Sequence, residues 1–152
     1  MKKGIILGAV AILFLGACKK ETAGSKGLLS MKVDGTAWTA TNEVGAFITS
    51  ADKFVCDGSV NVEVLTFGVT NVTGLGTFPI VGSGSLLSYD VAGSQDYLIA
   101  DYVANSHGTI TITALNANNG VGTSVTGTFE GVAYNGSGDS VIITNGKFED
   151  RD

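Results

Sequence analysis

Residues 108–115 read Gly-Thr-Ile-Thr-Ile-Thr-Ala-Leu. A helix would scatter that alternation around its circumference. A strand puts Ile110 and Ile112 on one face and Thr109, Thr111 and Thr113 on the other. The next segments follow the same rule. Ser124 to Tyr134 carries Val125, Phe129 and Ala133 on one face, and Ser140 to Thr144 is a third strand, closed by Asn145-Gly146-Lys147-Phe148. The links, Asn116 to Gly122 and Asn135 to Asp139, are rich in the Asn and Gly that tolerate the left-handed backbone of tight turns. Three strands joined in this way predict an antiparallel meander.

The rest of the chain is read from that anchor. Leu29 to Val33 and Thr36 to Ala40 flank Asp34-Gly35, a strong hairpin signal because a type I′ turn needs positive φ at both central residues. Gly45 to Ser50 is a short strand with Phe47. Phe54 to Cys56, Asp57-Gly58 and Ser59 onward predict a second hairpin. Val60, Val62 and Val64 alternate, then Leu65, Phe67 and Val69 continue one residue out of phase, which predicts a β-bulge. Leu75 to Val81 holds the only proline, Pro79. Proline cannot donate to a ladder, so this strand lies at an edge or ends there. Leu86 to Val91 and Tyr97 to Ala104 follow, the latter apolar on both faces. Gly-Thr-Phe occurs at 76–78 and 127–129, but no fixed period recurs, which excludes solenoids and propellers. Residues 28–152 are therefore expected to form one all-β domain. The expected architecture is an antiparallel β-sandwich or a flattened meander barrel of about 9–10 strands.

The N-terminus carries a different signal. Met1-Lys2-Lys3 is basic, Gly4 to Ala17 is apolar or small, and Leu15-Gly16-Ala17-Cys18 closes the run. The run falls short of the ~20 residues a membrane-spanning helix needs. It resembles a bacterial lipoprotein signal peptide, residues 1–17, ending in a lipobox. That resemblance implies cleavage after Ala17 and diacylglycerol on Cys18, with the new amino group acylated too. Two or more chains anchor stably where one does not. Residues 18–27 then form a flexible tether averaging about 15–18 Å end to end. Lys19, where the resemblance would put Asp for inner-membrane retention, implies the outer membrane, with the body on its periplasmic or its outer side.

Three stretches also resemble a family of small uncharacterised lipoproteins of Bacteroidetes-type bacteria, catalogued as a domain of unknown function. They are the Leu-Gly-Ala-Cys lipobox, Met31-Lys-Val-Asp-Gly-Thr-Ala-Trp-Thr-Ala40, and the C-terminal set Gly108-Thr-Ile-Thr-Ile-Thr, Val125-Thr-Gly-Thr-Phe and Val141-Ile-Ile-Thr-Asn-Gly-Lys-Phe148. The resemblance implies the fold and the address and carries no activity or site.

Chemistry-bearing motifs are sparse. HExxH, GxSxG, a phosphate loop and paired cysteines are all missing from the sequence. His107 is the only histidine, too few for a triad or a zinc site without strong partners. Asp96 and Asp101 fall on opposite faces of an ideal strand. Asn135-Gly-Ser-Gly-Asp139 is faintly like a calcium loop but lacks the closing Glu, and reads as a tight turn. Glu149, Asp150 and Asp152 read as a solvated acidic tail. With Cys18 lipidated, Cys56 has no disulfide partner and reads as a small buried hydrophobe. The formal net charge of -5 disfavours nucleic acid, which needs a basic stripe.

The expectation is a non-enzyme with no cofactor or metal. It would be a membrane-anchored binding or interaction module for a glycan, lipid or protein. The alternative is a lipocalin-like carrier of a small apolar ligand. Trp38, Tyr89, Tyr97, Tyr102 and Tyr134 are the candidate ligand-binding residues, against a reading in which such rings are packing.

Overall fold

The structure is a computed structural model, and it describes residues 27–49, 52–92, 96–118 and 122–149. The expectations for residues 1–26, including Cys18, and for Asp150 and Asp152 lie outside the described residues.

Eleven strands and no helix are found among the described residues: β1 Leu28–Val33, β2 Thr36–Thr39, β3 Asn42–Ile48, β4 Phe54–Val60, β5 Glu63–Val69, β6 Gly76–Pro79, β7 Leu86–Val91, β8 Tyr97–Ile99, β9 His107–Asn118, β10 Gly122–Tyr134 and β11 Ser140–Glu149. The count exceeds the nine or ten expected, although β2, β6 and β8 each fall within a segment read as a strand above, and both β6 and β8 are shorter than those segments. Every pairing is antiparallel.

One layer runs β2-β1-β11-β10-β9-β6 and the other β3-β4-β5-β7-β8. Strand β10 belongs to both. Near its start, Thr123 and Ser124 pair with Ile48 and Phe47 of β3; at its end, Tyr134 pairs with Leu98 of β8. The hydrogen-bonded circuit β10-β3-β4-β5-β7-β8 therefore closes on itself. Sandwich and barrel thus merge: one layer curls until both of its edges reach the same strand of the other. The expected meander is β9-β10-β11, and β6, ending at Pro79, is an edge strand paired only with β9.

Between the layers lies one apolar core. Its centre is four rings, Phe54 and Phe67 from the second layer and Phe129 and Phe148 from the first. Ring centroids stand 4.9 Å apart for Phe54–Phe148 and 4.4 Å for Phe67–Phe129. Fully burying such a side chain stabilises by about 1.5–3 kcal/mol, and ring pairs add roughly 0.5–1.5 kcal/mol. Glycines make room for the rings. In the β10–β11 register Gly127 lies opposite Phe148, and Gly146 opposite Phe129. A Cβ on Gly127 would meet Phe148 Cζ at 2.5 Å and the Thr111 carbonyl oxygen; one on Gly146 would meet Phe129 Cδ1 at 2.6 Å.

Three sequence expectations are corrected here. Asp57-Gly58 is not a turn but lies inside β4, where a Cβ on Gly58 would stand 2.8 Å from Leu29 Cδ2. That glycine serves close packing, not backbone reversal. The hairpin turn is Asn61-Val62, with Asn61 at φ 52° and Val62 63% exposed. The slip in the valine pattern is therefore this turn, and the β4–β5 ladder is regular throughout. Tyr97 to Ala104 is likewise not one strand. It ends at Ile99, and residues 100–106 turn back, held by the Ser106 hydroxyl, which donates to the carbonyls of Ala100 and Val103 and accepts from the Ala100 N–H. By contrast, Asp34 and Gly35 do form the first hairpin, both at positive φ. Asp34 also joins that turn to β11. Its N–H donates to the Ile142 carbonyl at 2.9 Å, and its carboxylate accepts the Ile142 N–H at 2.8 Å.

Gly127→Ala is expected to cost about 1–3 kcal/mol in urea unfolding, because both the ring and the strand behind it block the added methyl. Phe148→Ala should cost about 3–5 kcal/mol by leaving a cavity at the layer interface.

Candidate functional site

Three neighbouring ladders lose register in one band of the first layer. On β11, Thr144 and Asn145 stand opposite the single residue Glu130 of β10. On the other side of β11, Asn145 and Gly146 stand opposite the single residue Met31 of β1. The β10–β9 ladder also shifts between Val125 and Glu130. Asn145, at φ 54°, adopts the left-handed conformation that lets β11 bulge. Bulges bend strands and raise local twist. Three in one band hollow the outer face of the sheet.

The result is a trough made of two adjoining hollows. The first, about 800 Å³, is lined by outward-facing Ser30, Lys32, Thr39, Thr111, Thr128 and Lys147, with Asn145 beside them. The second, about 460 Å³, is lined by Pro79, Val81, Val132 and Ile142, with exposed His107 at its rim. Thr109 and Glu130 line both. The trough is thus hydroxyl-rich at one end and apolar at the other. Thr77 and Thr111 share a hydrogen bond of 2.9 Å between their hydroxyls, and Thr113 donates to the Thr126 carbonyl. The described residues include three lysines, Lys32, Lys53 and Lys147. Two of them line this trough, where the carboxylate of Glu130 is also available.

The aromatic candidates divide into two groups. Trp38, Tyr89 and Tyr97 form a packed row, with Trp38 edge-on to Tyr89 at 6.4 Å and Tyr89 6.5 Å from Tyr97. Trp38 and Tyr89 are each 6% exposed and Tyr97 is half-buried, so none presents an open ring face, although Trp38 also borders the first hollow of the trough. Their rings fill the core where β2 folds over the second layer. The Trp38 indole N–H has no acceptor among the described residues. Tyr102 and Tyr134 do reach an open cleft, between residues 100–106 and the β10–β11 turn.

The remaining candidates do not assemble. His107 begins β9, and its Nδ1 lies 3.0 Å from the Asn105 carbonyl oxygen. Asp101 accepts the Gly82 N–H at 2.6 Å, while Asp96 is exposed elsewhere. Asn135 Oδ1 accepts the N–H groups of Ser137 and Asp139, which makes 135–139 a side-chain-anchored turn. Cys56 is a fully buried thiol. Among the described residues no three His, Cys, Asp or Glu are grouped to hold a metal ion. Sequence reasoning missed the trough. The available signal was Val132 and Ile142, apolar residues in the otherwise polar outward phase of β10 and β11.

A family model described as "Domain of unknown function (DUF6252)" matches residues 25–150. The chain belongs to this family. No curated protein and no solved structure matches it. The DUF6252 match covers all eleven strands, and therefore the trough as well as the core.

One titration bears on the packed row. Burial, then the hydrogen bond from the Tyr89 hydroxyl to Glu63 Oε2 at 2.8 Å, pushes the Tyr89 phenol above the usual tyrosine value of about 10. The folded state then keeps a proton that the unfolded chain releases. Stability should therefore be unaffected by this group below pH about 10 and fall as pH rises beyond it. Tyr89→Phe should flatten that alkaline slope in denaturant unfolding while costing about 1 kcal/mol at neutral pH.

Proposed function

We propose that this DUF6252 chain is a lipid-anchored, non-catalytic binding module of a bacterial outer envelope, with the trough as its ligand-binding face. The observation that carries the binding reading is where the open volume lies. The interior is filled by Phe54, Phe67, Phe129 and Phe148, whereas both hollows lie on the outer face of the first layer. That distribution favours surface capture over the lipocalin-like carrier, which needs an enclosed apolar cavity. The trough suits an elongated ligand. Its polar part would meet Thr109, Thr111, Thr128 and the two lysines, and its apolar part would lie over Val81, Val132 and Ile142.

The anchoring reading rests on Leu15-Gly16-Ala17-Cys18 and the short polar stretch after it. Leu28 pairs with Glu149, so a tether entering at Gly27 would join the body at the end where β11 finishes. The 135–139 turn stands at the opposite end of the long β10–β11 hairpin.

Two experiments test these readings separately. Cys18→Ala should abolish palmitate labelling in a bacterial host and release the chain from membranes; unchanged labelling removes the anchor reading. A thermal-shift screen with glycans and single-chain lipids should find a class that raises the unfolding midpoint, since a ligand of the native state stabilises by mass action. Lys147→Glu should remove that response without lowering the midpoint of the free protein by more than a few degrees.

A further inference from the structure

We propose that the cleft between residues 100–106 and the 135–139 turn is a second, separate site that binds a pyranose unit of a neutral saccharide, with Tyr102 as the stacking platform. The pairing of Tyr134 with Leu98 brings the two turns together, and the cleft they leave is about 500 Å³, within the usual range for small-ligand sites. Its walls are Leu98, Tyr102, Val103, Asn105, Tyr134 and Asn135, completed by small residues; no charged side chain lines it. On a chain of formal charge -5 that neutrality is selective. A charged ligand would find no counter-charge among the lining residues, and a wholly apolar one would leave the polar groups of Asn105 and Tyr134 unused.

Tyr102 is 77% exposed, the most exposed large apolar side chain described. A phenol ring offers a flat negative face, to which the C–H face of a sugar ring is complementary. Asn105 and the Tyr134 hydroxyl supply donors and acceptors at the cleft wall. The backbone around them is already fixed. Ser106 ties residues 100–106 through three hydrogen bonds, Asp101 pins that turn to Gly82, and Asn135 Oδ1 gathers two N–H groups of its own turn. A preformed site loses little ordering free energy on binding. The cleft lies at the end of the β10–β11 hairpin away from Gly27 and Glu149, and so would face away from any surface reached through the N-terminal stretch.

The test is an amide-resolved NMR titration of the full chain with maltohexaose, cellohexaose and mannohexaose, each to about 10 mM, with a polyproline peptide as a fourth probe. At least one saccharide should shift resonances of residues 100–106 and 134–139. Tyr102→Ala should weaken that binding about tenfold or more, and Tyr102→Phe should leave it within about twofold, since the ring and not the hydroxyl carries the contact. Asn105→Ala is a second variant whose effect should also be loss of affinity, independent of how Tyr102→Ala folds. Silence with all three saccharides overturns the proposal. So does a response to the peptide alone, or a saccharide response confined to the outer face of β9, β10 and β11, which would place sugar in the trough instead.

Discussion

The two layers meet through phenylalanine rings seated on glycines, and the other features of the body follow from that contact. Phe129 and Phe148 can turn inward at full size only because the residue directly across the β10–β11 ladder is in each case glycine. The reciprocal arrangement lets the rings lie over the backbone, where they reach Phe54 and Phe67 of the opposite layer. Once the rings interlock, the second layer is held against β10. Its outer strands, β3 and β8, then complete their hydrogen bonding at the two ends of that strand. Closure leaves fewer strand edges exposed, a hazard that open sheets must manage by other means.

The same hairpin shapes the outer surface. Gly146 lies beside the extra residue that makes β11 bulge, and the shifts on both flanks bend the sheet where Phe129 and Phe148 are buried beneath it. The interior is therefore full and the exterior concave. Residues that alternation sends outward, Thr109, Thr111, Thr128 and Lys147, line a hollow instead of covering a flat wall. In this fold the packing of the core and the form of the candidate site are consequences of one stretch of backbone.

Much of the body was legible from pattern alone. Period-two alternation in 108–115 and 124–134 placed Ile110, Ile112, Val125, Phe129 and Ala133 inside, and all five are buried. Asp34-Gly35 marked a true hairpin, and Pro79 marked a true edge. The failures have a common physical source. Glycine serves both turns and close packing, so Asp57-Gly58 was read as a turn although Leu29 and Ala40 press on Gly58 from elsewhere in the chain. Aromatic rings serve both cores and binding faces, so Trp38 and Tyr89 could be separated from Tyr102 only by seeing what covers them. The trough is not legible in the sequence because its lining comes from six strands spread over most of the chain, and no local window contains it.

The class of structure is written in short segments of the chain, because strand periodicity and turn chemistry are local properties of the backbone. The same segments set which side chains of the long strands face inward. Tertiary structure decided how the sheets close on β10, which glycines carry rings, and where open volume remains. Those outcomes depend on contacts between residues far apart in the chain, and each of them is settled by close packing against partners that no single segment specifies.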